Sequence, residues 1–292
     1  MSSRIVLLSV LLIGVTGCGE RAEPLGQEIS PYPVSVRGAG DRPAVLNSRP
    51  ERIVALDAAA AELVGALGAG DRLVGIPSDV VVEASRDAAR VVGPAGQVRV
   101  ETVVELEPDL VVAAPTTDPG DVARAQRETA AALYVDPDHS LDSVVRAALE
   151  LALLVDEPVA GRRLAESIRR AAREVSVKVA GKKLVRAFID TGFLVTVPHR
   201  SLLGDLVRRA GGESVAGSDS DAFTPCEVMR LEPDVLLTID QPAAVRARFT
   251  RAGCAAGRVD IVQLPEALSR AGPRVGETLE RIARALHPDA FA

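Results

Sequence analysis

The stretch Leu106-Glu-Pro-Asp-Leu-Val-Val112 returns later in the chain as Leu231-Glu-Pro-Asp-Val-Leu-Leu237. Each copy reads as a helix end, a Pro-Asp turn and a short apolar strand. Upstream of the first copy, Arg52-Ile-Val-Ala-Leu56 reads as a buried strand. Asp57 follows it, then helical spacing from Ala58 to Leu67, closed by Gly68 and Gly70. Further strands fit Arg72–Ile76, Leu110–Ala114 and Leu133–Val135, and a helix fits Val100–Leu106. The second copy has the same surroundings. Val185–Asp190 is a strand ending in Asp, and Leu202–Ala210 is a helix closed by Gly211-Gly212. Helical Glu227–Leu231 then precedes the strand Val235–Ile239. Glu62-Leu-Val and Asp205-Leu-Val form another pair of echoes, at an interval that differs from the first. Strands alternating with helices, repeated once at unequal intervals, predict two related α/β lobes with parallel sheets rather than a tandem solenoid. The lobes are expected over residues 34–140 and 180–292.

The linking segment, residues 141–179, is helical throughout in its pattern. Asp156-Glu157-Pro158 divides it into helices near 141–154 and 157–178, since Pro suits a first helical turn and acids suit its dipole. In the second helix Val159, Leu164, Ile168, Ala172 and Val175 form one stripe, with arginines mostly elsewhere. Such a helix is about 31 Å long and reads as a single rigid strut between the lobes.

The chain has 292 residues, 47% of them hydrophobic, which is enough for a sizeable core. A formal charge of −6 argues against nucleic acid as a partner. With no Trp, two Tyr and five Phe, a cavity walled by stacked rings is not expected. Three His and three Cys are little material for a metal cage. Ile5–Val15 is an apolar run too short to span a bilayer but of the length of a signal-peptide core. It ends at Val15-Thr-Gly-Cys18, which resembles the lipobox of bacterial lipoproteins. That implies a signal peptide over residues 1–17, a lipid on Cys18, and a flexible tether over 18–33. Outside the cytoplasm disulfides persist, so Cys226 and Cys254 are either bridged or two buried thiols.

The order of motifs along the chain resembles a known family. After the lipobox come Tyr32-Pro-Val-Ser-Val, Arg49-Pro-Glu-Arg-Ile-Val-Ala-Leu, Glu62-Leu-Val-Gly-Ala-Leu-Gly and Asp71-Arg-Leu-Val-Gly. The two Leu-Glu-Pro-Asp phrases, Ser201-Leu-Leu-Gly-Asp-Leu, Gly211-Gly-Glu, Gly272-Pro-Arg and Leu286-His-Pro complete the set. From about residue 32 onward, this is similar to the solute-binding proteins of bacterial ABC importers for ferric siderophores, cobalamin and haem. The resemblance implies an α/β fold of two Rossmann-like lobes joined by one long helix, with the ligand in the cleft between them. It also implies a monomer that binds a metal chelate, most readily a ferric siderophore, and hands it to permease subunits. Cobalamin, haem and a non-transport sensor role are the alternatives. No cofactor, bound metal or catalysis is implied.

Ligands of parallel sheets bind outside the carboxyl ends of strands. The loops there hold Asp57, Ser78 and Asp79, Thr116 and Thr117, Asp190 and Thr191, and Asp240. The resemblance adds His199-Arg200 and Ser269-Arg270, and Phe223 borders the same edge. Arg200 and Arg270 suit anionic oxygens through their planar forks, or are solvated surface groups. Asp57 and Asp190 are expected to cap the helices that follow them. For a flat macrocycle, Tyr134 and His199 are the available partners. In the family a Glu on each lobe docks onto permease arginines, seven residues before the Pro of each repeated phrase. That position is Glu101 in the first lobe and Cys226 in the second, with Glu227 one residue late. For Glu101 the alternative is an acid favoured by a helix N-terminus.

Other motifs carry less. Gly65-x-x-Gly68-x-Gly70 follows a helix rather than a strand, so it is no nucleotide loop. His199, Ser201 and Asp205 have triad residue types without a nucleophile elbow. His139, His199 and His287 are too scattered for a metal site.

Overall fold

Strand Ile53–Ala55 is apolar on both faces because helices cover both sides of its sheet. In the computed structural model, two short strands precede it, β1 (Val34–Val36) and β2 (Ala44–Leu46), paired antiparallel. Then follow β3 (Ile53–Ala55), α1 (Ala58–Ala66), β4 (Leu73–Pro77), β5 (Ala89–Val92), α2 (Val100–Glu105), β6 (Leu110–Ala113), α3 (Pro119–Glu128) and β7 (Ala132–Val135). The five strands β3 to β7 form a parallel sheet in the order β5-β4-β3-β6-β7. Helices α4 (Leu141–Leu154) and α5 (Pro158–Val179) come next. The second half contains β8 (Val185–Asp190), α6 (Leu202–Arg209), β9 (Gly212–Ser214), α7 (Pro225–Arg230), β10 (Val235–Thr238), α8 (Pro242–Arg251), β11 (Asp260–Gln263) and α9 (Val275–Leu286). Its sheet is also parallel, ordered β11-β10-β8-β9.

The structure describes residues 31–292, apart from 39–42, 115–116, 136–139, 218–220, 255–256, 258, 265–269 and 271. Within it, Tyr32–Ala292 is one compact unit. The apolar run, Cys18, most of the expected tether and His139 lie outside the described residues. Among the described residues, no helix is long and apolar enough to cross a membrane.

The repeated phrase has a structural explanation. Asp109 accepts from the backbone N–H of Glu51 (2.8 Å) and Arg52 (3.0 Å), tying the start of β6 to the start of β3. Asp234 does the same for Arg186 at the start of β8 (3.0 Å). Arg52 Nε donates to the Leu106 carbonyl, and Arg186 Nε donates to that of Glu232. The Glu of each phrase sits in left-handed geometry, Glu107 at φ 45° and Glu232 at φ 49°. The echo therefore marks the amino edges of both sheets, opposite the ligand-binding edge.

The linking helices tie the halves together. One core cluster gathers β3, β4 and α1 with Leu151, Leu154 and Val155 from the end of α4. A second gathers β8, β10, α6 and α9 with Leu141, Val144 and Val145 from the start of α4, and Ala165, Ile168 and Val175 from α5. Leu164 of α5 packs against both. The expected strut, α5, thus has a partner: α4 also reaches into both cores. Buried Asp205 of α6 anchors this hairpin, accepting from the Leu141 N–H (3.0 Å) and Arg209 Nε (2.8 Å). Val159, assigned to the buried stripe, is instead 50% exposed. A stripe drawn at 100° per residue places it at the middle of the opposite face from Ile168.

Candidate functional site

A parallel sheet has a crevice where the connections from two neighbouring strands leave in opposite directions. In the first half that point lies between β3 and β6, and a cavity of about 370 Å³ opens there. Leu56, Asp57 and Ala58 follow β3 and wall one side, and Thr117 follows β6. Pro77 ends β4 and Asp79 follows it, and Val92 ends β5 ahead of the turn that holds Gly93, Pro94 and Gly96. Gly96 has φ 79°, a geometry that favours glycine, and its N–H donates to the Gly93 carbonyl to close the turn. The remaining wall residue, Arg270, comes from the second half of the chain.

Arg270 crosses between the halves. Its guanidinium pairs with Asp79 at 2.7 Å and approaches Glu62 of α1 at 4.0 Å. Arg274 also approaches Glu62, at 3.7 Å. Gly272 lies so close that a side chain there would meet the Glu62 carboxylate at 2.9 Å. Desolvation pushes the Glu62 carboxyl above its ordinary range, and the two guanidinium groups pull it back. Asp57 caps α1 through the N–H groups of Ala59 (2.8 Å) and Ala60 (3.3 Å). Burial still pushes its carboxyl upward against those bonds and the nearby Arg270 charge. Among the described residues the lining thus sets two carboxylates, Asp57 and Asp79, against the Arg270 guanidinium, which pairs with Asp79.

The second half shapes its own crevice between β8 and β10 differently. Asp190 does not cap a helix, contrary to expectation; Ser201 caps α6. Asp190 is buried, accepts from the N–H groups of Gly192 and Leu194, and receives the Thr238 hydroxyl at 2.8 Å. The loop it pins holds Phe193 and Leu194, both in left-handed geometry at φ 56° and 63°. Phe193 is 78% exposed, its N–H donates to Asp240, and Arg248 lies over its ring at 4.7 Å. Asp240 also takes the Arg248 guanidinium at 2.6 Å, which helps hold its carboxyl below the usual range against desolvation. An aromatic face with a cation behind it therefore stands at the carboxyl edge of the second sheet.

The structure divides the other expected site residues. Asp57, Asp79, Thr117 and Arg270 meet at the cavity. Ser78 stands beside it, exposed, with its N–H bonded to the Val92 carbonyl. Thr191 turns its hydroxyl to the Val195 carbonyl. His199 and Arg200 are exposed and line no described cavity wall. Phe223 is half-buried: its ring packs edge-on against buried Phe188 at 5.4 Å, and its N–H donates to the Leu194 carbonyl. Tyr134 is fully buried, with its hydroxyl on Glu150 at 2.7 Å. Thr116 and Ser269 lie outside the described residues. Phe193 and the Gly93–Gly96 turn were not expected at the site; the Gly-Pro-Ala-Gly run was the available signal.

The expected docking acids are both engaged within the chain. Glu101, in the first turn of α2, is exposed but pairs with Arg124 of α3 at 2.7 Å. Its own N–H and that guanidinium hold its carboxyl below the usual range. Glu227 closes a capping box, accepting from the Thr224 N–H at 2.8 Å and hydroxyl at 2.7 Å. At the position matching Glu101, Cys226 is joined by a disulfide to Cys254, with a Cα–Cα distance of 5.4 Å. It staples the start of α7 to the chain just after α8.

The comparisons with known proteins agree with this architecture. A family model described as "Periplasmic binding protein" matches residues 53–248. The chain is 22% identical to the uncharacterized ABC transporter substrate-binding lipoprotein YvrC of Bacillus subtilis, over all of this chain and 99% of that one. It is 26% identical to a cobalamin-binding protein of Halobacterium salinarum, over 88% of this chain and 74% of the relative. Among solved structures, the periplasmic vitamin B12-binding protein BtuF of Vibrio cholerae superimposes with a TM-score of 0.72 at 22% identity, covering 83% of this chain and 98% of that one. With the family model spanning more than half its length, and two parallel sheets linked as described, the chain belongs to the periplasmic binding protein family.

Proposed function

We propose that this chain is the extracytoplasmic, lipid-anchored substrate-binding protein of an ABC importer, and that its cleft captures a metal chelate. The observation that carries the reading is the cavity at the β3/β6 crevice, walled by the first half and closed by Arg270 from the second. A ligand seated there touches both halves, which is how a carrier signals its loaded state to a permease. The work is equilibrium binding, so the ligand leaves unchanged and no residue is assigned a catalytic role. Cys18 carries the lipid, and Glu101 offers a carboxylate toward permease arginines by exchanging Arg124 for a partner in trans.

Ligand class follows from the lining. A ferric siderophore is the first expectation of the sequence. Two carboxylates against one paired guanidinium favour a neutral or cationic chelate over a polyanionic one. Phe193 supplies a flat apolar face, which favours a corrinoid as the second reading; haem, with its carboxylates, suits the lining less. The test is a thermal-shift panel of cobalamin, haem and ferric siderophores of differing charge. A ligand at a hundred times its Kd stabilises by about 2.7 kcal/mol. A raised midpoint with one chelate class supports the reading; a flat panel from folded protein refutes it. A lipid-anchored sensor is favoured by one observation, the engagement of Glu101 and Glu227 within the chain, and predicts chelate binding without permease-dependent uptake.

A further inference from the structure

Helix α5 presents a face that neither core nor cleft uses. Arg162, Arg163, Arg169, Arg170 and Arg173 are all exposed, as are Glu166 and Glu174. At 100° per residue these seven lie within an arc of about 140°. Val159 and Val177 fall at its centre, 50% and 77% exposed. Helix surfaces usually balance such charge by i,i+4 pairs. The row Arg162–Glu166–Arg170–Glu174 has that spacing, which leaves Arg163, Arg169 and Arg173 in excess. Among the described residues, none of the five arginines makes an ion pair. In a chain of formal charge −6, this is a concentrated cationic strip. Its 22 residues run about 33 Å along the body.

The excess positive charge and the apolar centre of the strip say what covers this face, and one contact fixes the turn at its start. The described chain begins at residue 31, and the Tyr32 hydroxyl donates to the Leu154 carbonyl at 2.8 Å. Leu154 ends α4, four residues before α5 begins. The Tyr32 ring therefore lies at the end of α4, at the turn that leads into α5. We infer that the arginine face of α5 lies against an anionic phospholipid surface, its guanidinium groups on lipid phosphates and Val159 and Val177 at headgroup depth. Planar guanidinium forks suit phosphate oxygens, and a basic helix with apolar residues on the same face suits the bilayer interface. The inference rests on the proposed attachment at Cys18 only for the high local concentration of membrane.

The chain contains no Trp, so a single introduced one is a clean reporter. Val177→Trp places it on the face, and Val81→Trp, at a position 77% exposed on the first lobe, places it elsewhere. The lipid-modified chain is mixed with vesicles of phosphatidylcholine alone or with one third phosphatidylglycerol, each carrying a headgroup-level quencher. The expected result is quenching of Val177→Trp on the anionic vesicles, reversed by 0.5 M salt, with Val81→Trp unaffected. Converting Arg163, Arg169 and Arg173 to Gln keeps helix propensity and lowers the docked-to-undocked ratio about fivefold per residue, roughly a hundredfold together. Flotation with phosphatidylcholine vesicles reports the anchor separately, and face-specific quenching on anionic vesicles is expected without it. Unquenched Val177→Trp on anionic vesicles, or equal quenching of both probes, overturns the inference. Arginine changes that lower uptake in cells while Val177→Trp stays unquenched would point to an acidic protein surface instead, and overturn it equally.

Discussion

Cutting the Cys226–Cys254 disulfide tests how the second lobe is held. The bridge spans a sequence separation of 28 residues, enclosing α7, β10 and α8. In the chain-entropy picture, closing such a loop removes about 12 cal/mol/K from the unfolded ensemble, or about 3.6 kcal/mol at 25 °C. The native structure loses little, because α7 still has its capping box and β10 its neighbours on both sides. For a body of this size, 1 kcal/mol corresponds to about 2–4 °C in Tm. The double variant Cys226→Ser/Cys254→Ser is therefore expected to melt roughly 7–14 °C below the oxidised protein. Scanning calorimetry with and without reductant measures it, and thiol titration of the unfolded, unreduced chain confirms the bridge. Chelate affinity is expected to stay unchanged, since the cavity walls belong to the first lobe and Arg270. Equal melting of oxidised and variant chains, with the bridge shown to be present, would refute the loop-entropy argument. A large loss of affinity would refute the independence of the cleft from the staple.

Three further outcomes follow from the site. Asp57→Ala, which removes the α1 cap, is expected to cost about 0.5–2 kcal/mol in urea unfolding, whereas Asp57→Asn keeps the cap and costs little. Because burial raises the Asp57 carboxyl in the folded state, the wild type binds its proton more tightly folded than unfolded. Its stability therefore falls as pH rises from the ordinary carboxylate value through the raised one, and Asp57→Asn flattens that slope; an unchanged slope counts against the assignment. Arg270→Ala should shift unfolding by under about 1 kcal/mol, since its Asp79 partner is 52% exposed. The same change should weaken chelate binding by about 1.5–3 kcal/mol in calorimetry, and unaltered affinity would remove Arg270 from the site. Glu101→Arg should leave chelate affinity intact and lower uptake in cells, and normal uptake counts against docking through α2.

Much of the fold was legible because its signals are local. Asp57 follows an apolar run of ordinary length, Arg72–Ile76 is read as the next strand and matches β4 within a residue, and Pro158 divides the linking helices where the acids suggest. β5 was not legible: Arg90 interrupts its apolar run, and only the fold shows that its guanidinium is used by the Pro77 and Val80 carbonyls. Losing β5 meant losing the Gly93–Gly96 wall. Tyr134 is a cleft candidate in the sequence because aromatics are scarce, yet its burial is set by the packing of the fold and by Glu150, 16 residues away. Phe193 escaped notice because its exposure comes from left-handed geometry fixed by Asp190, a long-range partner of Thr238. The Leu-Glu-Pro-Asp phrase was read correctly as a repeat, although the residues it conserves between the halves serve strand starts rather than ligand.

The hairpin of α4 and α5 gives the two lobes a common fate. Each helix lends side chains to both cores, so neither lobe can melt while the other keeps its packing. Heating should yield one calorimetric peak rather than two, and a protease that gains entry to either lobe gains both. A ligand seated in the first lobe's cavity, meeting the second lobe only at Arg270, thereby protects the whole of the second lobe as well.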